Sequence, residues 1–437
     1  MSDDWSRFGW RRPGVIATEP LTETIRAQNQ IPKTLHPLQV EGAVQRPIFD
    51  PSLKQYANAY RAGDPRFADE STGRAWYAAR RTAMDLVLAA IAGSEWVDSL
   101  VLRGSVLLKA WFPGDAREPG DLDFVVTPAD WTLEEPSTDA MINGIARAAQ
   151  AVSEAEGGGT VRFDAAGATS DDIWTYERVP GRRLVLPWTA PGLPGGIVQL
   201  DFVFGEHLPA EPEPTLVPAA DGSPGALVTA ASPELSLAWK LMWLISDSYP
   251  QGKDLYDAVL LAEHTPLRYS LLRDVFLHVE PQQAMITVEP RHITDLQRSV
   301  GWGHFVAEFP DLADRETEYV QRLAAALGPT FHTAGPLGAG PGSYQRRVAW
   351  LEPWTDRYRA TLLGSDLPTV LKKMAAKHTP ITAAVVIIRE LLGPENTSIE
   401  QTYETVVEHP DWQQWPQLIR QHPNWFGDEL KALWAAQ

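Results

Sequence analysis

Asp121-Leu122-Asp123 sets two carboxylates one residue apart, downstream of the tight turn Arg103-Gly104-Ser105. If Leu122 lies in a strand, side chains alternate and both acids leave the same face. Carboxylates that close repel each other, and they stay ionised together most readily with a divalent cation between them. The pair behind a Gly-Ser turn is therefore a candidate site for Mg²⁺ (or Mn²⁺) and the triphosphate of an NTP. A solvated strand end is the alternative that Asp-x-Asp alone leaves open.

A third acid strengthens the metal reading. Gly196-Ile197-Val198-Gln199-Leu200-Asp201-Phe202-Val203-Phe204 has the apolar, β-branched character of a strand, with one carboxylate in its middle. A charge there is costly unless it is paired or binds metal. Three carboxylates on neighbouring strands make a two-metal phosphoryl-transfer site possible. A structural salt bridge from Asp201 to Arg103 or Arg117 is the other expectation.

Ser232-Pro233-Glu234 reads as a helix start, with Ser232 as cap and Pro233 at the first helical position. Lys240 interrupts the apolar face that follows, so its ammonium either snorkels to water or reaches an anion. Asp254 and Asp257, three apart, share a helical face. They either serve the site or orient Lys253 or an arginine.

Gly104-Ser105, then Asp121-Leu122-Asp123, then a lone Asp201 on a later strand resembles the polymerase-β-like nucleotidyltransferases. More narrowly it resembles the AbiEii/MenT group of nucleotidyltransferase toxins from toxin–antitoxin systems. Arg117 stands four positions before the first acid, as in that group. Leu200-Asp201-Phe202 is followed by Gly205-Glu206, Ser232-Pro233-Glu234-Leu235 leads to Lys240, and Lys253-Asp254-Leu255-Tyr256-Asp257 closes the series. The likeness spans about residues 70–265. It departs at residues 106–120, a longer interval than usual, and at Pro119, where the group carries Ser or Thr. The arginine usual between the helix lysine and the Lys-Asp pair is also missing over residues 247–252.

The resemblance implies metal held by Asp121, Asp123 and Asp201. It implies phosphates met by Gly104, Ser105, Arg117 and Lys240, and a place for Asp257 in the catalytic set. It also implies transfer from an NTP (ATP, CTP, GTP or UTP) to tRNA or another RNA, and a cognate antitoxin. The same chemistry on a protein or small molecule, and a non-catalytic binding module on this fold, are the competing expectations.

These residues need a sheet to hold them. The patterning predicts helices over residues 74–92, 106–111 and 137–155, and strands over 96–102, 122–126, 161–163, 184–186 and 198–204. A turn is expected at Gly157-Gly158-Gly159. The expected class is α+β, a polymerase-β-like nucleotidyltransferase core with a mixed sheet, followed by a mostly helical C-terminal domain. Residues 1–70, rich in proline, read as an extended arm with a short helix near 53–62; 71–280 form the core and 281–437 the helical domain. In that last part helices are expected over 315–327, 367–376, 381–392, 398–408 and 428–435, with a Gly/Pro-rich loop over 328–342. Its tryptophans (Trp302, Trp350, Trp354, Trp412, Trp415, Trp425, Trp434) read as core rather than as a base-stacking surface.

The 437 residues include no cysteine, which excludes disulfides and thiolate chemistry. No apolar run is long enough for a transmembrane helix, and the polar start is unlike a secretory signal, so no membrane contact and a cytoplasmic location are expected. A net charge of −18 argues against broad non-specific nucleic-acid binding. An RNA would need a local basic path, for which Arg80-Arg81, the Arg178, Arg182 and Arg183 group, and Lys372-Lys373 with Lys377 and His378 are candidates.

Overall fold

The computed structural model describes residues 16, 21–56, 59–155, 160–175, 179–279, 284–332 and 343–413. The Gly157-Gly158-Gly159 turn, Arg178, Trp415, Trp425, Trp434 and the helix expected at 428–435 lie outside them. The chain forms two compact units. One comprises residues 1–236, 247–261 and 300–314; the other comprises 237–246, 262–299 and 315–437. Over residues 237–314 the chain alternates between the two units.

The first unit is built on an eight-stranded mixed sheet. In chain order its strands are β1 (Leu100–Arg103), β2 (Leu122–Val126), β3 (Arg162–Phe163), β4 (Thr169–Thr175), β5 (Val179–Ala190), β6 (Leu193–Val203), β7 (Glu213–Val217) and β8 (Ala226–Ala230). The spatial order is β7-β8-β1-β2-β6-β5-β3, with β4 also paired to β5. The pairs β8–β1 and β2–β6 are parallel and the rest antiparallel.

One face of this sheet is core. Leu102, Phe124 and Phe202 are fully buried there, and the two phenylalanine rings stack with centroids 5.6 Å apart. Helices Glu70–Ala92 and Pro136–Ala155 pack together and contribute Val87, Ile91, Met141 and Ile145 to the same core. Asp69 caps the first of these by accepting from the Thr72 N–H at 2.8 Å, and Gly93 ends it.

The other face carries charge. It is covered in part by the arm, which is more ordered than its prolines suggest. A helix spans Glu23–Asn29, a 3₁₀ turn spans Pro51–Leu53, and residues 43–67 form two short antiparallel ladders. The helix expected near 53–62 is replaced by that turn and by a strand at Tyr60–Ala62. Sequence reading also missed β4, β7 and β8. It began β1 too early, because Val97–Ser99 is a 3₁₀ turn.

The second unit is helical. Ile381–Leu392 packs against Ser343–Leu363 and Ile399–Glu408. Trp350 and Trp412 are fully buried and donate to the carbonyls of Ala284 and Leu371 at 3.2 and 3.1 Å. Trp354 is buried too, and so is Trp302 in the first unit, as expected for core residues. Gly328–His332, expected as loop, is helical; residues 333–342 lie outside the described set.

Gly196 of β6 tests the core packing. A Cβ there would come within 2.5 Å of the Trp188 ring and 2.9 Å of Trp76, both buried. Gly196→Ala is expected to cost about 1–3 kcal/mol in urea denaturation through overpacking. An unchanged midpoint would mean that these rings move aside freely.

Candidate active site

Strand register builds the site. Across β1, β2, β6, β5 and β4, the residues Arg103, Asp123, Asp201, Arg183 and Asp171 stand opposite one another in a single row. Cross-strand partners share a face, so this is a charge row on the face opposite the Phe124–Phe202 stack. Asp121, two residues before Asp123, adds a further carboxylate on that side. Asp121, Asp123 and Asp201 each bring a carboxylate oxygen to within 4.8 Å of the others.

Gly104 makes room for this convergence. Its φ of +87° is a backbone conformation that side chains rarely adopt. A Cβ there would meet Asp123 Oδ2 at 2.5 Å. Ser105 follows at the start of helix Ser105–Trp111, and its buried hydroxyl has no hydrogen-bond partner among the described residues.

The acids differ in charge state because their neighbours differ. Burial, reinforced by Asp121 and Asp201, pushes the Asp123 carboxyl up to about 7. Burial opposes ionisation of Asp121 as well, but Lys253, Arg117 and Arg61 outweigh it and hold that group below its ordinary value. Asp201 is raised by burial against the opposing pull of Arg183.

The surrounding arginines are committed to named partners. Arg183 forks Asp201, with Nε to Oδ1 and Nη2 to Oδ2 both at 2.8 Å, and its Nη1 donates to Asp50 at 2.8 Å. Arg117 donates to both carboxylate oxygens of Asp257 at 3.0 and 2.9 Å. Arg103 pairs with Glu206, and Arg61 with Glu308 at 3.0 Å. The expectation of Arg103 or Arg117 as the partner of Asp201 is thus corrected to Arg183.

The cause is a register shift between Leu193 and Gly196 in the β5–β6 hairpin. With the register of the hairpin end carried through unshifted, Arg182 would face Asp201; one extra residue brings Arg183 there instead. Arg182 lies on the other face, paired with Asp172 at 2.7 Å and Asp139 at 3.1 Å.

A cleft of about 440 Å³ opens beside the acids, lined by Asp121, Gln199, Arg117, Lys253, Arg61 and Trp76 among others. The arm supplies His36, Gln45 and Gly63 to the same wall. Arg61 and Asp50 are the functional candidates that the sequence assigned no place in the site; Arg183, expected as a basic group that could meet substrate, instead holds Asp201. Of the expected site residues, Gly104, Ser105, Arg117, Asp121, Asp123, Asp201 and Asp257 all belong to the first unit. Asp257 is fully buried and orients Arg117. Lys240 belongs to the second unit. It is buried on helix Pro233–Ser246, with its ammonium 5.2 Å from the Trp243 ring centre. Ser232 accepts from the Leu235 N–H at 3.2 Å, the cap expected for that helix.

The donor set suits a hard divalent cation. Three carboxylates and a nearby hydroxyl offer oxygen only, the preference of Mg²⁺ and Mn²⁺ rather than of softer metals. A proton retained on Asp123 up to about 7 is what a site completed by a cation would show without one.

A family model described as the nucleotidyl transferase AbiEii toxin of type IV toxin–antitoxin systems matches residues 86–331. The chain belongs to this family, and it is a nucleotidyltransferase of the toxin–antitoxin class, with an α+β core. Among solved structures it is similar to MenT4, a nucleotidyltransferase toxin from Mycobacterium tuberculosis H37Rv. The identity is 16% and the TM-score 0.34, over 59% of this chain and 91% of that one. A comparison with curated proteins finds no match.

The charge state of Asp123 gives a pH dependence. A cation must displace the Asp123 proton below about pH 7 and meets a carboxylate above it. Mn²⁺ affinity is expected to climb with pH up to about 7 and then level off, and Asp123→Asn should remove the climb. Titrations followed by Mn²⁺ electron paramagnetic resonance check this; an affinity flat from about pH 5.5 to 8 would contradict it.

Proposed function

We propose that this chain transfers a nucleotide from an NTP to an RNA acceptor, tRNA foremost, in a divalent-metal-dependent reaction, as the toxin partner of a cognate antitoxin. The observation that carries the reading is the convergence of Asp121, Asp123 and Asp201 beside a Gly104 that has no room for a side chain. Mg²⁺ or Mn²⁺ held by these acids would neutralise the triphosphate and lower the pKa of the attacking hydroxyl.

The protein's own groups then divide the work. Gly104 leaves room for the Asp123 carboxylate against the turn, and the Ser105 hydroxyl has donor capacity to give the phosphates. Arg117, held flat by Asp257, and Lys253 bring positive charge to the Asp121 side. Lys240 is the resemblance's candidate for a triphosphate contact. The acceptor hydroxyl forms the new bond to the α-phosphorus while the α–β bond breaks and pyrophosphate leaves. Asp201, fixed by Arg183, is the carboxylate assigned to the acceptor side.

An RNA acceptor is supported by a second cavity of about 690 Å³ that shares Gly63, Asp64, Arg80, Glu118, Glu308 and Phe309 with the cleft at Asp121. It adds Arg46, Arg66 and Arg81. Three of its acids are already paired: Asp64 with Arg80, Glu118 with Lys109, and Glu308 with Arg61. Arg81 is paired with Asp85, and Asp221 is a fourth acid of the lining, so Arg46 and Arg66 are the groups offered to phosphates. A cytoplasmic location accords with this reading, and among the described residues no helix is long and apolar enough to cross a membrane.

Incubation with each labelled NTP and Mg²⁺, with and without total tRNA, tests this. Label is expected on RNA and should fall by at least about 10³-fold in Asp121→Ala. Label on the protein itself, or on a small molecule, would move the acceptor class. No label and no nucleotide binding would leave only a binding module.

A further inference from the structure

Arg183 sits between two carboxylates from different parts of the chain. Asp201 is the third acid of the site; Asp50 belongs to the arm, before the residues matched by the family model. Asp50 is 9% and Arg183 3% exposed, and Ser52 accepts from Arg183 Nη2 at 3.2 Å. Asp50 is itself fixed by its own turn, where its Oδ1 accepts from the N–H and the hydroxyl of Ser52 at 3.1 and 2.6 Å. One guanidinium charge is therefore shared by two buried acids.

That sharing bears on what Asp201 can do. A carboxylate forked by an arginine of its own has most of its charge neutralised and attracts a dication weakly. An arginine that also donates to a second carboxylate leaves a net negative charge on the Asp50–Arg183–Asp201 group. We propose that Asp50 is a positioning residue through which the arm sets the metal affinity of the acidic site, by holding Arg183 so that Asp201 keeps charge for the cation. The proposal rests on the reading of Asp121, Asp123 and Asp201 as metal ligands.

The arm is well placed for this part. Asp171, next in the charge row beyond Arg183, accepts from the Thr34 N–H and hydroxyl at 2.7 and 2.8 Å and from Tyr56 Oη at 2.8 Å. The arm is thereby pinned to β4 on one side of Arg183 while Asp50 and Ser52 hold the guanidinium itself.

The charge argument gives opposite signs for the two members of the pair, which a purely structural support does not. Mn²⁺ binding by the full chain, read by electron paramagnetic resonance without nucleotide, is the test. Asp50→Asn is expected to weaken binding about ten-fold, because Arg183 then rests on Asp201 alone. Arg183→Gln is expected to tighten it, while slowing nucleotidyl transfer because Asp201 is no longer held. The double variant Asp50→Asn/Arg183→Gln restores the charge balance and should bind within about three-fold of the unaltered chain. It carries the test if Arg183→Gln alone does not fold, as thermal melts followed by circular dichroism will show. Asp121→Asn is the control for the site: it should lose the ion. Unchanged affinity in Asp50→Asn, or a double variant as weak as Asp50→Asn, overturns the proposal while Asp121→Asn leaves the metal site standing. A folded, unaltered chain that binds no Mn²⁺ overturns both.

Discussion

Three carboxylates held within 4.8 Å of each other on adjacent strands are the constraint around which the first unit is arranged. The parallel register of β2 and β6 places Asp123 beside Asp201, and strand alternation adds Asp121. Like charges that near, out of water, are mutually destabilising unless counter-charges or a cation meet them. The structure supplies the counter-charges unevenly. Asp201 shares Arg183 with Asp50, Asp121 has Lys253 and Arg117 nearby, and Asp123 is left carrying a proton up to about 7. Three acids crowded beside the Gly104 turn are an arrangement that a cation would stabilise.

Rigidity comes from the opposite face of the same sheet. The residues that alternate with the acids are Leu122, Phe124, Leu200 and Phe202, all fully buried, so a shift of either strand by one residue would exchange core for charge. The arm completes the acidic face from outside the family-matched segment through Arg61 and Asp50, which sequence reading passed over because residues 1–70 show proline and little periodicity.

Much of the site was legible because its residues break local rules. An Asp inside an apolar strand, two acids at period two, and a glycine ahead of a helix each signal chemistry before any fold is known. The strands β2 and β6 and the helices of residues 367–376 and 381–392 were legible because their apolar patterns are strong. The partner of Asp201 was not, because it depends on one extra residue in the β5–β6 hairpin that exchanges Arg182 for Arg183. Strand β4 escaped because Asp171 and Asp172 make it polar, and their partners come from β5 and the arm. Helix Ser343–Leu363 escaped because Pro353 lies inside it and reads as a break.

The central claim is that these three carboxylates form one cation-binding centre for a nucleoside triphosphate. The most direct measurement is a crystal structure of the full chain with Mn²⁺ and a non-hydrolysable NTP, using the anomalous signal of manganese. The account predicts an anomalous peak about 2.1 Å from oxygens of both Asp121 and Asp123, with phosphate oxygens of the nucleotide in the same coordination sphere. Nucleotide bound away from these acids, or manganese absent from them in a crystal saturated with both, would contradict it.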